Sequence, residues 1–151
     1  MIIKAVDSTN IDATMVLCEY YREEADISDN DYDHNSVLET IKTRSIHPEY
    51  CWFNLYEGQR PVGFISGYLT QAPWNNKILY AHIELVFILE SHRNLDTFKM
   101  LIDAFTKWAE QFKVVDITAG DIGINVDRTR KLYEHLGFTQ GLWMTKEMIN
   151  E

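Results

Sequence analysis

Basic residues are scarce in this sequence. Fourteen Lys and Arg stand against 23 Asp and Glu, a formal charge of −9. Such a surface repels phosphates, so nucleic acid and anionic membranes are poor partners and a cationic one is expected. There are three prolines and two cysteines, with no Gly/Ser-rich stretch and no internal repeat. That argues against linkers and for one domain over residues 1–151. Cys18 and Cys51 form no CxxC pair and no Cys/His cluster at zinc spacing, so no metal site is expected, only two reduced, partly buried thiols. Long apolar runs are also missing. The most apolar one, 78–89, is broken by His82 and Glu84 and is too short to cross a bilayer. The first residues lack the basic and apolar regions of a secretory signal. A soluble cytoplasmic protein is the expectation.

What is present is the material of a mixed fold. With 46% hydrophobic and 25% charged residues, the chain is close to the globular average. Ile2 to Val6 reads as a strand. Thr9, with Asp12 three residues on, reads as the cap of a helix carrying Ile11, Met15, Cys18 and Tyr21. Val37, Leu38 and Ile41 suggest a second helix. Tyr50–Tyr56 and Val62–Leu69 read as a hairpin around a turn at 57–61. A turn over 71–76 leads into a long strand, Ile78–Ile88. Strict alternation there puts Tyr80, His82, Glu84, Val86 and Ile88 on one face and Ala81, Ile83, Leu85 and Phe87 on the other. Apolar residues on both faces make it central. Phe98, Leu101, Ile102, Phe105, Trp108, Ala109 and Phe112 form a helical stripe over Leu95–Phe112. A strand over Val114–Thr118, a helix over Val126–Leu136 ending at Gly137, and one or two closing strands in Phe138–Met148 complete the order β-α-α-β-β-β-α-β-α-β.

Three features resemble the GNAT superfamily of N-acetyltransferases. One is the central strand running into a basic loop and a helix, Leu85-Val86-Phe87-Ile88-Leu89-Glu90-Ser91-His92-Arg93. Another is Leu132-Tyr133-Glu134-His135-Leu136-Gly137-Phe138, which is similar to the family's LYEKLGF segment. The third is the element order itself, over essentially the whole chain, with the hairpin segment Pro61-Val62-Gly63-Phe64-Ile65 before the central strand. The resemblance implies an α/β (α+β) fold, a central mixed and mostly antiparallel sheet with helices on both faces and one splayed parallel strand pair. It implies acetyl-CoA as co-substrate. Its pantetheine would pair with the edge Val86, Phe87, Ile88 and Leu89. Its pyrophosphate would sit on Arg93, Asn94, Leu95, Asp96, Thr97 and Phe98, where a helix N-terminus attracts anions.

That loop departs from the family's Arg/Gln-x-x-Gly-x-Gly/Ala pattern. Arg93 matches, but Asp96 and Phe98 replace the glycines that let backbone approach phosphate. Asp96 can cap the helix and so compete for the donors of the pyrophosphate site, and it brings negative charge against two phosphates. Phe98 either crowds that site or turns into the core.

Amine acetylation needs a proton acceptor and a proton donor to the thiolate. Glu84 occupies a position where the family often has a base. A buried carboxylate among apolar neighbours suits that role; the other reading is a glutamate hydrogen-bonded to a neighbouring element. His82 is a second candidate base, or a satisfied core histidine. Tyr133 matches the family's thiolate-protonating tyrosine. Asn125 stands one place from the family's cofactor-contacting asparagine, and either touches cofactor or caps the last helix. The acidic run Glu19, Glu23, Glu24, Asp26, Asp29, Asp31 and Asp33 is either an attractive rim or a solvated face. Tyr20, Tyr21, Tyr50, Trp52 and Trp74 either line an acceptor pocket or pack the core.

Two functions follow. The first is acetyl transfer from acetyl-CoA to a small-molecule amine or a basic peptide. The second is a catalytically inactive GNAT-like domain used for binding or structure, for example in a bacteriophage. The acceptor and the oligomeric state stay open, a homodimer among the options.

Overall fold

A computed structural model of the chain describes residues 1–120, 125–141 and 144–149. Its elements run β1 (Ile2–Ala5), α1 (Ile11–Glu24), α2 (His34–Ile46), β2 (Tyr50–Glu57), β3 (Arg60–Ala72), β4 (Asn75–Ile88), a 3-10 turn (Glu90–His92), α3 (Leu95–Glu110), β5 (Asp116–Ala119) and α4 (Val126–His135). The five strands form one sheet in the order β1-β2-β3-β4-β5. Neighbours are antiparallel except β4 and β5, which are parallel.

Helices cover both faces. Tyr21 of α1 meets the rings of Phe64 and Phe87 edge-on, with centroids 6.5 and 5.7 Å apart. Phe105 of α3 lies against the opposite face, where Gly67 leaves the room: a Cβ there would stand 2.5 Å from the Phe105 ring. The stripe on α3 works as its spacing requires. Phe98, Leu101, Ile102, Phe105 and Ala109 are buried, with Leu17, Ile41, Leu55, Phe64, Ile65 and Ile83 in the same core. A polar link runs through it as well, for buried Asn54 of β2 donates to Thr14 Oγ1 of α1 at 2.8 Å.

Four expectations need correction. Thr9 does not cap α1; its N–H and hydroxyl both donate to Asp7 Oδ1, and Asn10 takes the position before the helix. The hairpin strands are longer than their apolar cores, because β3 runs on to Ala72 and β4 starts at Asn75. No closing strand forms among the described residues of Phe138–Met148, where Met144 and Met148 are exposed and find no sheet partner; residues 142 and 143 of that segment lie outside the described ones.

The fourth correction concerns β4. Its pairing with β3 steps from Gly67↔Ile83 to Ser66↔Leu85, so Glu84 is an extra residue, a β-bulge. A bulge reverses the alternation beyond it. Val86 and Ile88 therefore share a face with Ile83, Ile65 and Gly67. Leu85 and Phe87 share the other with His82 and Tyr68.

Gly137 terminates α4 as its position suggests. It has φ 92°; its N–H donates to Glu134 O and that of Phe138 to Tyr133 O, the paired bonds of a Schellman motif.

Candidate active site

The parallel pairing of β4 and β5 is short among the described residues. Pairing runs from Tyr80↔Asp116 to Ile83↔Ala119 and closes with a long 3.4 Å bond from Gly120 N to Ile83 O. Beyond that point β4 keeps β3 on one side, through Gly63↔Ile88 and a 2.8 Å bond from Leu89 N to Val62 O. Among the described residues it has no β5 partner on the other side. Since Leu89 turns its N–H to β3, strand alternation turns the backbone groups of Val86 and Ile88 toward the gap. A notch of about 100 Å³ opens there, bordered by Val86, Ile88, Asn94, Phe98, Asn125 and Arg128.

Beyond the strand the chain makes its 3-10 turn. His92 holds that turn, with Nδ1 2.7 Å from Ser91 Oγ and Nε2 3.0 Å from Glu57 Oε2. α3 then starts on a capping box. Asn94 Oδ1 accepts from Thr97 N at 2.9 Å, and Asn94 N donates to Thr97 Oγ1 at 3.2 Å. The cap is therefore Asn94. Asp96, a candidate for that role, sits exposed in the first turn. Asparagine wins because the cap must precede the helix with extended backbone, and Asn94 has φ −157° and ψ 174°. The N–H groups of Leu95 and Asp96 have no acceptor among the described residues. Phe98 turns into the core, 3% exposed, with its ring edge-on to Tyr133 at 5.0 Å.

Arg93 is engaged inward. Its Nε donates to Ile88 O at 2.7 Å, its Nη2 pairs with Glu24 of α1, and its guanidinium lies 5.7 Å from the Phe87 ring centre. Asn125 caps α4, accepting from Arg128 N at 3.4 Å from a left-handed backbone with φ 48°. It also borders the notch.

Glu84 is not a lone buried carboxylate. At the bulge it receives both terminal nitrogens of Arg44 from α2, one of them at 3.4 Å. The Arg44 guanidinium stands 5.0 Å from the Tyr50 ring centre. Tyr50 meets Tyr68 at 6.4 Å, and Tyr68 meets His82 at 5.3 Å. His82 Nδ1 lies 2.8 Å from Thr118 Oγ1. A line of contacts thus crosses the sheet from α2 to β5. Burial pushes the His82 imidazole below its usual range, against a smaller opposing effect of Glu84, so the ring is neutral at pH 7. Gly120 lies beside the ring, where a Cβ would make an ordinary contact 3.7 Å from Nε2.

Tyr133 stands at the second, larger cleft beside β5, held between Phe98 and Phe138 at 5.0 Å each. Thr129 borders both clefts and joins them. The acidic run is largely local. Glu19 pairs with Arg22 at 3.5 Å, Asp31 accepts from Ser28 at 2.9 Å, and Arg22 pairs with Asp29. Only Glu24 of that run reaches the site. Trp52 packs on Phe64 with centroids 5.4 Å apart, and Trp74 is 74% exposed. Arg44, Thr118 and Arg128 escape sequence reasoning. Each acts across a packing contact that no local motif records.

A coenzyme A thioester fits this donor set in most respects. It would find strand groups facing a gap, two open N–H groups at a helix N-terminus, and a guanidinium at the notch. Asp96 opposes it. Among the described residues no group of metal-binding side chains occurs, and no helix is long and apolar enough to cross a membrane.

Comparison with known proteins agrees with the geometry. The sequence model of the Acetyltransferase (GNAT) family matches residues 14–138. No curated protein matches the sequence. Among solved structures, a probable acetyltransferase aligns with a TM-score of 0.79 at 16% identity, covering 100% of this chain and 98% of its own. The ribosomal-protein-alanine N-acetyltransferase from Brucella melitensis biovar Abortus 2308 aligns at 0.75 and 15%, covering 99% and 100%. Aminoglycoside N-acetyltransferase AAC(6')-Iy in complex with CoA aligns at 0.79 and 15%, covering 98% and 93%. At these identities the likeness is one of fold.

Proposed function

The chain belongs to the GNAT family of acetyltransferases, and from that premise we propose that it transfers the acetyl group of acetyl-CoA to an amine, as one domain acting in the cytoplasm. The observation that carries this reading is the β4 edge. From Val86 to Ile88 it has no β5 partner among the described residues and borders the notch. Arg93 Nε already holds the Ile88 carbonyl; the other backbone groups that face the gap want an amide partner, because unpaired buried N–H and C=O groups are costly. A pantetheine arm supplies amides.

Acetyl-CoA when bound supplies the activated acyl group. The residues of this chain do the rest. Val86 and Ile88 align the arm, with Phe87 and Leu89 holding the strand to β3. Leu95 and Asp96 offer N–H groups to an anion at the start of α3, with Asn94, Thr97 and Phe98 holding that turn and Asn125 the facing one. Tyr133 gives a proton to the departing thiolate. Glu84 and Arg44 together form the charged floor of the acceptor site, where an incoming ammonium competes for the carboxylate. With both Glu84 oxygens facing a guanidinium, the neutral imidazole of His82 is the better proton acceptor.

The acidic charge of the chain and the aminoglycoside acetyltransferases among its fold neighbours favour cationic acceptors, small amines or basic peptides. A second reading, an inactive domain kept for binding, draws support from Arg93, whose guanidinium already has partners in Glu24 and Ile88, and from the exposed charge of Asp96. Titration calorimetry and thermal shift with acetyl-CoA separate the two. A ligand at 100 times its Kd adds about 2.7 kcal/mol. Thiol release is then followed with spermidine, a lysine-rich peptide and an aminoglycoside. Absence of binding supports the inactive domain. Acetylation of acidic or neutral acceptors alone would overturn the cationic preference.

A further inference from the structure

We infer that Arg128, rather than Arg93, is the guanidinium that receives the diphosphate of the bound nucleotide thioester. This rests on the acetyl-CoA reading above and names the residue that sustains it in a loop without glycines. Two phosphates need positive charge, and this chain carries a formal charge of −9. Arg93 is the sequence's candidate and also lines the notch, but its guanidinium is already held by Ile88 O, Glu24 and the Phe87 ring. Turning it outward would leave Glu24 without its partner and release the strand carbonyl.

Arg128 is differently placed. It lies in the first turn of α4, borders the notch with Asn94 and Asn125, and is exposed. Its side chain reaches back over the loop to Arg93 O, 3.5 Å from Nη2, a long bond that a phosphate oxygen can replace. The neighbouring Arg130 pairs with Asp127 at 3.0 Å and with Glu134 at 3.9 Å. Arg128 has no carboxylate partner among the described residues, so it binds an anion without first breaking an ion pair. Guanidinium binds phosphate through two parallel N–H donors, a strong and directional contact. It stands across the notch from α3, so it also offsets the Asp96 charge. The missing glycines are compensated by a cation from the facing helix.

Calorimetry on the full chain tests this with three probes: CoA, dephospho-CoA, which lacks the 3′-phosphate, and pantetheine, which lacks all phosphates. Arg128→Ala should weaken CoA and dephospho-CoA alike by at least about tenfold, the equivalent of about 1.4 kcal/mol, and leave pantetheine unchanged. Arg128→Lys should fall between, because lysine keeps the charge without the fork. Equal CoA affinity in wild type and Arg128→Ala overturns the inference while leaving the acetyl-CoA reading intact. So does an equal loss for pantetheine, which marks a structural effect, or a loss for CoA but not dephospho-CoA, which moves the contact to the 3′-phosphate. Wild-type protein that binds none of the three overturns both readings.

Discussion

Arg44 of α2 clasps Glu84, the extra residue in the bulge of β4, with both of its terminal nitrogens. The pair joins α2 to β4, and the guanidinium also lies over Tyr50. Both side chains are half-buried, so neither an exposed pair's ~0.2–1 kcal/mol nor a buried pair's ~3–5 kcal/mol applies. Arg44→Ala should destabilise by about 1–2 kcal/mol in urea unfolding. The double variant with Glu84→Gln should recover part of that loss. A strictly additive cycle would mean that the two charges do not interact.

The His82–Thr118 contact predicts a pH dependence. The folded imidazole is held below its usual range by burial. In the unfolded chain it protonates near 6.5. The stabilisation from the neutral ring is therefore complete above about 6.5 and declines as pH falls below it, because the unfolded state then takes up a proton that the folded state resists. His82→Gln should flatten the loss of stability between pH 7 and 5, measured as the urea midpoint. Parallel curves for the two proteins would show that His82 titrates normally in the folded state.

Gly67 and Gly141 make a matched pair of substitutions. A Cβ on Gly67 would stand 2.2 Å from His82 O and 2.5 Å from Phe105 Cε2, whereas Gly141 faces open space. Backbone cannot yield as a flexible side chain would. Gly67→Ala should lower stability by about 1–3 kcal/mol or prevent folding, and Gly141→Ala should stay within about 0.5 kcal/mol of wild type. Thermal denaturation distinguishes the two.

Both thiols should be inert in the native protein. Cys18 is buried and its thiol is pushed up to about 12, with Glu19 adding to the effect of burial; burial drives Cys51 up as well. Thiolate is the reactive form. Ellman's reagent at pH 8 should count no cysteine in the folded protein and two after guanidinium treatment. Fast reaction of either residue in the folded state would contradict the packing around β2 and α1.

Asn94 and Asp96 should separate the cap from the charge. Asn94→Ala removes the side-chain acceptor of Thr97 N and should cost about 1 kcal/mol. Asp96→Gly leaves the capping box intact and loses only a favourable dipole interaction of about 0.3–1 kcal/mol together with helix propensity. Its affinity for CoA should rise as the like charge beside the diphosphate disappears. Unchanged affinity in calorimetry would place the carboxylate away from the phosphates.

Much of this molecule was decided within short stretches of sequence. The α3 stripe places Phe98, Leu101, Phe105 and Ala109 on one face because helical spacing does so wherever the helix docks. Gly137 ends α4 because only that backbone tolerates the left-handed turn. The mixed sheet with one parallel strand pair followed from the element order and the family resemblance, whereas the order of the strands is read from their pairing. The bulge at Glu84 did not, for alternation is unbroken in the sequence and only pairing with β3 reveals the extra residue. The fate of the charges was equally hidden. Arg44 meets Glu84 across 40 positions and Arg93 meets Glu24 across 69, contacts that exist only because α1 and α2 dock on the same sheet face. A local motif records neighbours one turn apart. Which carboxylate meets which guanidinium depends on charges brought together by packing, and that is settled by the tertiary structure.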